Sequence, residues 1–342
     1  MTTRRILLKS ATAVLALSLA GPLAAQSTEP IPVVATFSIL GDMVERIGGE
    51  HVAVTTLVGP DGDTHVFQPT PADARAVSDA ELLFVNGLEF EGWIDRLFDA
   101  SGFAGTRVVA TEGIEPIAFE EGEDHQESDD HAEHDHGDSH NDHAEEAGHD
   151  HDHEEHAEAG HDHHHHGAFD PHAWQSLDNA LAYVDNITAA LAQADPANAA
   201  DFYQDRAAYV AEIEALDAEI REILASLPTD RRTVVTSHDA FQYFGRDYGL
   251  TFLAPQGLST ESEASAQDVS RLIEQMREEG ISAVFVENIA DSRLLEQISN
   301  ETGATIGGTL YPGALSGPDG PAPTYLDMMR HNATTLAQAL GS

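Results

Sequence analysis

Pro32-Val33-Val34-Ala35-Thr36-Phe37-Ser38-Ile39-Leu40-Gly41-Asp42-Met43-Val44-Glu45-Arg46-Ile47 passes from a short β-branched run, Val33-Val34-Ala35, into a helical pattern from Ile39 to Ile47. Further apolar runs follow at Val52 to Val58, Leu82-Leu83-Phe84-Val85 and Val108-Val109. Strand and helix signals alternating in this way predict βαβ units and a mainly parallel sheet. The rhythm recurs after Arg232. Val234-Val235, Phe252-Leu253, Ala283 to Val286 and Ala304-Thr305-Ile306 read as strands there, and Gln267 to Glu279, Ser292 to Glu301 and Tyr325 to Leu340 as helices. Two similar α/β lobes are expected, one over residues 30–195 and one over 230–342.

Between them, Asp195-Pro196 has the chemistry of an N-cap and a first helical residue. Phe202, Tyr209, Ile213, Leu216, Ile220 and Ile223 then recur every three, four or seven residues until Pro228. One helix over residues 196–227 is expected, about 45 Å long at about 1.5 Å per residue. That length suits a rigid spine joining two lobes; a long surface helix of one lobe is the alternative.

The 342 residues, 41% of them hydrophobic, suffice for two domains with their own cores. Sixteen Lys+Arg against 60 Asp+Glu give a formal charge of −44, which repels nucleic acid and anionic membranes and attracts cations. Residues 1–25 carry a basic start (Arg4, Arg5, Lys9), an apolar run from Ala11 to Ala20 and small residues ending at Ala24-Ala25, the form of a cleaved export signal. The apolar run is shorter than the ~20 residues that span a bilayer, so no membrane insertion is expected. Thr3 to Lys9 also resembles a twin-arginine signal, and both export routes stay open. Cysteine is absent, which excludes disulfides, thiolate metal sites and a lipid-acceptor Cys. A soluble, monomeric periplasmic protein is expected.

Residues 120–167 break the globular pattern, with 15 of the 20 histidines, 19 acidic residues and no Lys or Arg. So few apolar side chains cannot offset the entropy of ordering, and a disordered loop is expected. His149 to His153 and the run His163 to His166 have the composition of weak metal stores; a solvated charge run is the plainer reading.

Five histidines remain: His51, His65, His172, His238 and His331. His65 lies in a Gly- and Pro-punctuated loop after Val52 to Val58. His172 lies in Phe169-Asp170-Pro171-His172-Ala173-Trp174, before a helix starting near Leu177, with Asp170 placed to cap the turn or accept a proton from a ring nitrogen. His238 follows Val234-Val235-Thr236 and comes from the other lobe. All three are placed after predicted strands, the edge at which open α/β sheets bind ligands. Imidazole suits Zn²⁺, Cu²⁺ and Ni²⁺, whereas Mg²⁺ and Ca²⁺ prefer oxygen, so three histidines without a thiolate point first to zinc. Protons should compete with the metal below roughly pH 6.

Gly62-Asp63-Thr64-His65-Val66-Phe67-Gln68-Pro69-Thr70-Pro71, Asn86-Gly87-Leu88-Glu89-Phe90-Glu91-Gly92-Trp93, Asp170-Pro171-His172-Ala173-Trp174 and Ser237-His238-Asp239-Ala240-Phe241-Gln242-Tyr243-Phe244 resemble motifs of the zinc/manganese family of ABC-importer solute-binding proteins. Gly320-Pro321-Ala322-Pro323-Thr324-Tyr325-Leu326-Asp327-Met328-Met329-Arg330 does so too, and the resemblance covers essentially the whole mature chain. It implies two Rossmann-like parallel-sheet lobes joined by one long rigid helix, with the metal site in the interlobe cleft. It also implies capture of Zn²⁺ in the periplasm, delivery to an ABC transporter membrane permease and, in zinc members, a histidine-rich insertion where residues 120–167 stand. Motif by motif, His65, His172 and His238 correspond to the family's metal-binding histidines, and manganese members resemble this sequence with Glu at position 238.

The fourth ligand departs from that pattern. Related sequences often carry Asp in the turn after the last strand, where Leu310-Tyr311-Pro312-Gly313-Ala314-Leu315-Ser316 has Gly313. Water, Asp319, Glu287 or a loop histidine is left to fill the place. Glu287, ending a strand, reads as an acceptor behind a ligand or a helix cap as well as a ligand. Three histidines with an open fourth position also describe a catalytic zinc site. The sequence has no His-Glu-x-x-His helix, Gly-x-Ser-x-Gly elbow or P-loop, so no enzymatic activity is expected. A histidine-rich metal buffer or adhesin without a transporter is the remaining alternative.

Overall fold

The β-branched and aromatic runs form two four-stranded, all-parallel sheets. The computed structural model describes residues 29–119 and 168–341. The signal expected at 1–25 and the loop expected at 120–167 lie outside the described residues. In the first lobe β1 (Ile31–Phe37), β2 (Val52–Val58), β3 (Leu82–Val85) and β4 (Thr106–Val109) pair in the order β2-β1-β3-β4. In the second, β5 (Thr233–Val235), β6 (Thr251–Leu253), β7 (Ala283–Glu287) and β8 (Thr305–Leu310) pair in the order β6-β5-β7-β8. The two sheets share one topology, and each strand order reverses beside its central strand, which is where such sheets leave a crevice at their carboxyl edge.

Helices cover both sheets. The first lobe carries α1 (Ser38–Gly48), α2 (Pro71–Asp79), α3 (Ile94–Ser101) and α4 (Leu177–Ala194). The second carries α6 (Gln242–Tyr248), α7 (Ala266–Glu279), α8 (Arg293–Thr302) and α9 (Tyr325–Leu340). Successive strand residues point to opposite faces, and the second sheet shows the consequence. Val234, Phe252 and Phe285 belong to the core that runs through the first lobe, while Val235 and Val284 form a separate cluster with Leu272, Met276 and Ile298 of α7 and α8. Gly307 in β8 is required by close approach: a Cβ there would lie 2.5 Å from the Phe285 ring and 2.7 Å from Ala339 of α9.

The helix between the lobes, α5, runs from Ala199 to Ala225 and is 27 residues long, about 40 Å. Phe202, Tyr209, Ile213, Leu216, Ile220 and Leu224 are buried along it, and it packs on α1 and α4 of the first lobe and on α6 and α9 of the second. The expected start at Pro196 is corrected. Asp195 ends α4, and its Oδ1 accepts from the N–H groups of Ala197 and Asn198 at 3.1 and 3.3 Å, tying a turn that delays α5 by three residues. Leu224 rather than the expected Ile223 closes the buried stripe. Among the described residues, no helix is long and apolar enough to cross a membrane.

Beside the spine, Asp42 of α1 accepts the Tyr325 N–H at 2.9 Å and so caps α9 of the other lobe. Burial raises its pKa to about 6, outweighing that hydrogen bond. A folded-state pKa above the unfolded one favours the native state while the group is protonated, and that contribution is lost as pH rises through about 6. Asp42→Asn keeps the acceptor and removes the ionisation. It should raise stability at pH 8 by up to about 3 kcal/mol, the gain vanishing below about pH 4. Urea unfolding at pH 4, 6 and 8 checks this; a gain independent of pH would contradict it.

Candidate metal centre

The loops leaving the carboxyl ends of β2 and β5 converge. His65 stands between β2 and α2, His238 follows β5, and His172 precedes a short 3₁₀ turn, Ala173–Gln175, that leads into α4. Their ring centroids are 5.4, 5.6 and 5.3 Å apart for the pairs His65–His172, His65–His238 and His172–His238. One ligand nitrogen from each ring lies within 4.8 Å of the others, and among the described residues this is the only such group of His, Cys, Asp or Glu. His51 and His331 are elsewhere, the first against Asp201 at 3.2 Å and the second donating to Thr309 O at 3.0 Å.

The expectation that all three histidines follow strands fails for His172. The residues before it make only an isolated bridge, Ala118 with Phe169. Side-chain hydrogen bonds tie that turn to the second lobe. Tyr243 OH donates to Asp170 O at 2.8 Å, Tyr325 OH to Trp174 O at 2.6 Å, and the Trp174 indole N–H to Pro312 O at 2.8 Å.

Two rings are oriented by buried carboxylates. Asp170 Oδ1 sits 2.8 Å from His172 Nδ1, and Glu287 Oε2 sits 2.6 Å from His238 Nδ1. An ionised carboxylate only accepts, so while the carboxylate behind it is ionised each ring carries its proton on Nδ1 and turns the Nε2 lone pair inward. His238 Nε2 is buried with no partner, and His172 Nε2 is 3.3 Å from His65 Nε2. Converging, desolvated lone pairs are costly unless a cation sits between them. With Zn–N bonds of about 2.0–2.1 Å, a tetrahedral edge is about 3.3–3.4 Å, which the His65–His172 pair matches at 3.3 Å, and all three nitrogens lie within 4.8 Å of one another.

The surroundings favour a neutral ring at His65 and His172 but not at His238. Phe90 packs edge-on to His65 and His172 at 5.0 and 5.9 Å and against Trp174 at 4.7 Å. Burial, and secondarily the neighbouring imidazoles, hold His65 and His172 well below the usual histidine range. At His238 burial pulls the same way but is outweighed by the charge and hydrogen bond of Glu287, and its pKa is raised. Burial pushes Asp170 up to about 7.

The fourth position stays without a protein ligand among the described residues. Glu287 is an acceptor behind His238: Oε1 takes the Ser237 and His238 N–H groups at 2.9 and 3.1 Å, and Oε2 takes the ring. Asp319 is exposed and apart from the cluster. Gly313 is buried, and a Cβ there would meet only Trp174 and Ile289 at 3.8 and 3.9 Å.

One further residue went unread in the sequence although a signal for it exists. Asp63 accepts the His65 N–H at 2.9 Å just as Asp170 accepts the His172 N–H at 2.9 Å, so two of the three clustered histidines sit in an Asp-x-His pattern. The other oxygen of Asp63 accepts from Thr260 of the second lobe at 2.5 Å, latching the His65 loop across the cleft.

Residues 33–339 match the family described as "Zinc-uptake complex component A periplasmic". The chain belongs to that family. Among its relatives, the iron-binding protein YfeA of Yersinia pestis is 33% identical over 309 residues, covering 90% of this chain and 86% of that protein. The manganese-binding lipoprotein MntA of Bacillus subtilis is 30% identical over 320 residues, covering 91% and 90%. Of solved structures, the periplasmic zinc-binding protein TroA of Treponema pallidum superposes with a TM-score of 0.75 at 27% identity, over 91% of this chain and 99% of that one. A Mn-bound periplasmic metal-binding protein of Candidatus Liberibacter asiaticus gives 0.71 at 30% identity, over 91% and 100%. The family's members are substrate-binding components of metal ABC importers rather than enzymes, with a membrane permease as partner.

Proposed function

We propose that this family member captures Zn²⁺ as its cargo through Nε2 of His65, His172 and His238 in the interlobe cleft, and hands it as a monomer to the permease of an importer, after export directed by residues 1–25. The observation that supports zinc is the donor set. Three imidazoles meet with no thiolate and no carboxylate oxygen among the described residues, and this favours Zn²⁺ over the harder, oxygen-seeking Mn²⁺. The relatives' names divide among iron, manganese and zinc, so the metal is argued from this chain's own ligands. Competition decides it: Zn²⁺ should displace bound Mn²⁺ at equimolar concentration, and retention of Mn²⁺ would overturn the assignment.

The histidine-rich segment is proposed to be an accessory store. Its two ends meet: Ala118 pairs antiparallel with Phe169, and the Phe119 N–H donates to Ala168 O at 3.0 Å. A two-residue Asn-Gly turn in place of 120–167 would close that pair as a hairpin. The shortened chain should fold, keep one tight site and lose the weaker ones, as counted by calorimetry. Loss of the tight site from a folded variant would instead make a loop histidine the fourth ligand.

A further inference from the structure

Two of the three non-glycine residues with positive φ among the described residues are consecutive, Leu88 at 53° and Glu89 at 62°, directly after Gly87 at 92°. Such backbone is strained and persists only where its surroundings fix it. Glu91 does the fixing. Its buried carboxylate accepts from Thr36 Oγ1 at 2.5 Å and from the N–H groups of Asn86 and Gly87 at 2.7 and 3.3 Å. Burial keeps its pKa raised against those three bonds. The turn therefore closes around an acceptor and seats Asn86 at the end of β3.

Asn86 is itself fully enclosed and saturated. Its Nδ2 donates to Pro171 O at 2.9 Å and Gly87 O at 3.0 Å, and its Oδ1 accepts from Tyr183 OH at 2.5 Å. Pro171 O belongs to the peptide bond that enters His172, and the N–H of that same peptide donates to Asp170 Oδ1 at 2.9 Å. One peptide plane is thus gripped at its oxygen by Asn86 and at its N–H by Asp170, and the carboxylate that holds the N–H also holds the imidazole.

We propose that Asn86, seated by Glu91, is a positioning residue for metal capture: it fixes the peptide that carries His172 and so holds that ring's Nε2 at the ligand cluster. The inference rests on the three-histidine site proposed above. A lost hydrogen bond by itself lowers stability without changing how the ligand nitrogens are placed. Removal of an outer partner that orients a ligand costs about 10–100-fold in metal affinity, and that difference separates positioning from plain structure.

The test uses the metal-stripped full chain titrated with its first equivalent of Co²⁺, whose visible absorption reports ligand geometry. Asn86→Asp keeps the shape and the bond from Tyr183 but loses both donors. Its Co²⁺ affinity should fall about 10–100-fold with an altered band shape. Tyr183→Phe adds no charge and only frees the amide, and should give a smaller loss with the same spectral change; if Asn86→Asp fails to fold, this variant decides. Folded variants that bind within twofold of the parent and share its spectrum would overturn the proposal. His172→Ala separates the two readings. If it too binds like the parent, the three-histidine site has failed; if it loses Co²⁺ while Asn86→Asp keeps it, only the positioning role has.

Discussion

His238→Ala is expected to abolish tight metal capture. The ring is the second lobe's contribution to the cluster, and its inward Nε2 has no other partner among the described residues. Losing a ligand should cost more than the about 10–100-fold that follows loss of an outer partner. Thermal stability reads this directly. At a metal concentration about 1,000 times the parent Kd, binding stabilises the native state by about 4 kcal/mol. A thousandfold weaker variant keeps only about 0.4 kcal/mol at that concentration, so the metal-induced rise in Tm should all but vanish. The substitution also strands the Glu287 carboxylate, so the metal-free variant must be the reference. His65→Ala, at a residue less enclosed than His238 and with no carboxylate hydrogen-bonded to its ring among the described residues, should show the same loss with less damage to the apo fold. A parent-sized rise in Tm in either variant would remove that histidine from the site.

Glu287→Gln should change both the affinity and its pH dependence. Glutamine cannot accept from His238 Nδ1 and from both backbone N–H groups at once, because its amide nitrogen is a donor. Affinity near pH 7.5 should fall about 10–100-fold. The pH effect runs the other way. In the parent, Glu287 outweighs burial and raises the His238 pKa, so protons begin to displace metal above the ordinary histidine pKa of about 6.5. Without that charge burial dominates, the pKa falls, and the onset moves below that value. His65 and His172 are held neutral to lower pH by burial in both proteins. A single onset below roughly pH 6, expected from unperturbed imidazoles, therefore becomes an early phase from His238 and a later one from the other two. Metal competition from pH 5 to 8 checks this, and an unshifted onset in the variant would refute it.

Much of this was legible in the sequence because the signals were local. The eight strands fall on the β-branched and aromatic runs, and Leu177 starts α4 where the sequence placed it. The start of α5 was misplaced because Asp-Pro serves equally to open a helix or to end one, and here Asp195 does the latter. The three histidines stood out by their loops, yet His172 reaches the cluster from a turn secured by tyrosines of the other lobe. Such long-range bonds leave no periodicity to read. The same holds for Glu91 and Asn86, whose partners Thr36, Tyr183 and Pro171 lie 55 to 97 residues away.

The most direct test of the account is X-ray absorption at the zinc edge on the chain with 120–167 replaced by a turn, loaded with less than one equivalent of Zn²⁺. A first shell containing three imidazole nitrogens at about 2.0–2.1 Å is the predicted result. A shell dominated by oxygen, or no stoichiometric binding by the folded protein, would contradict it.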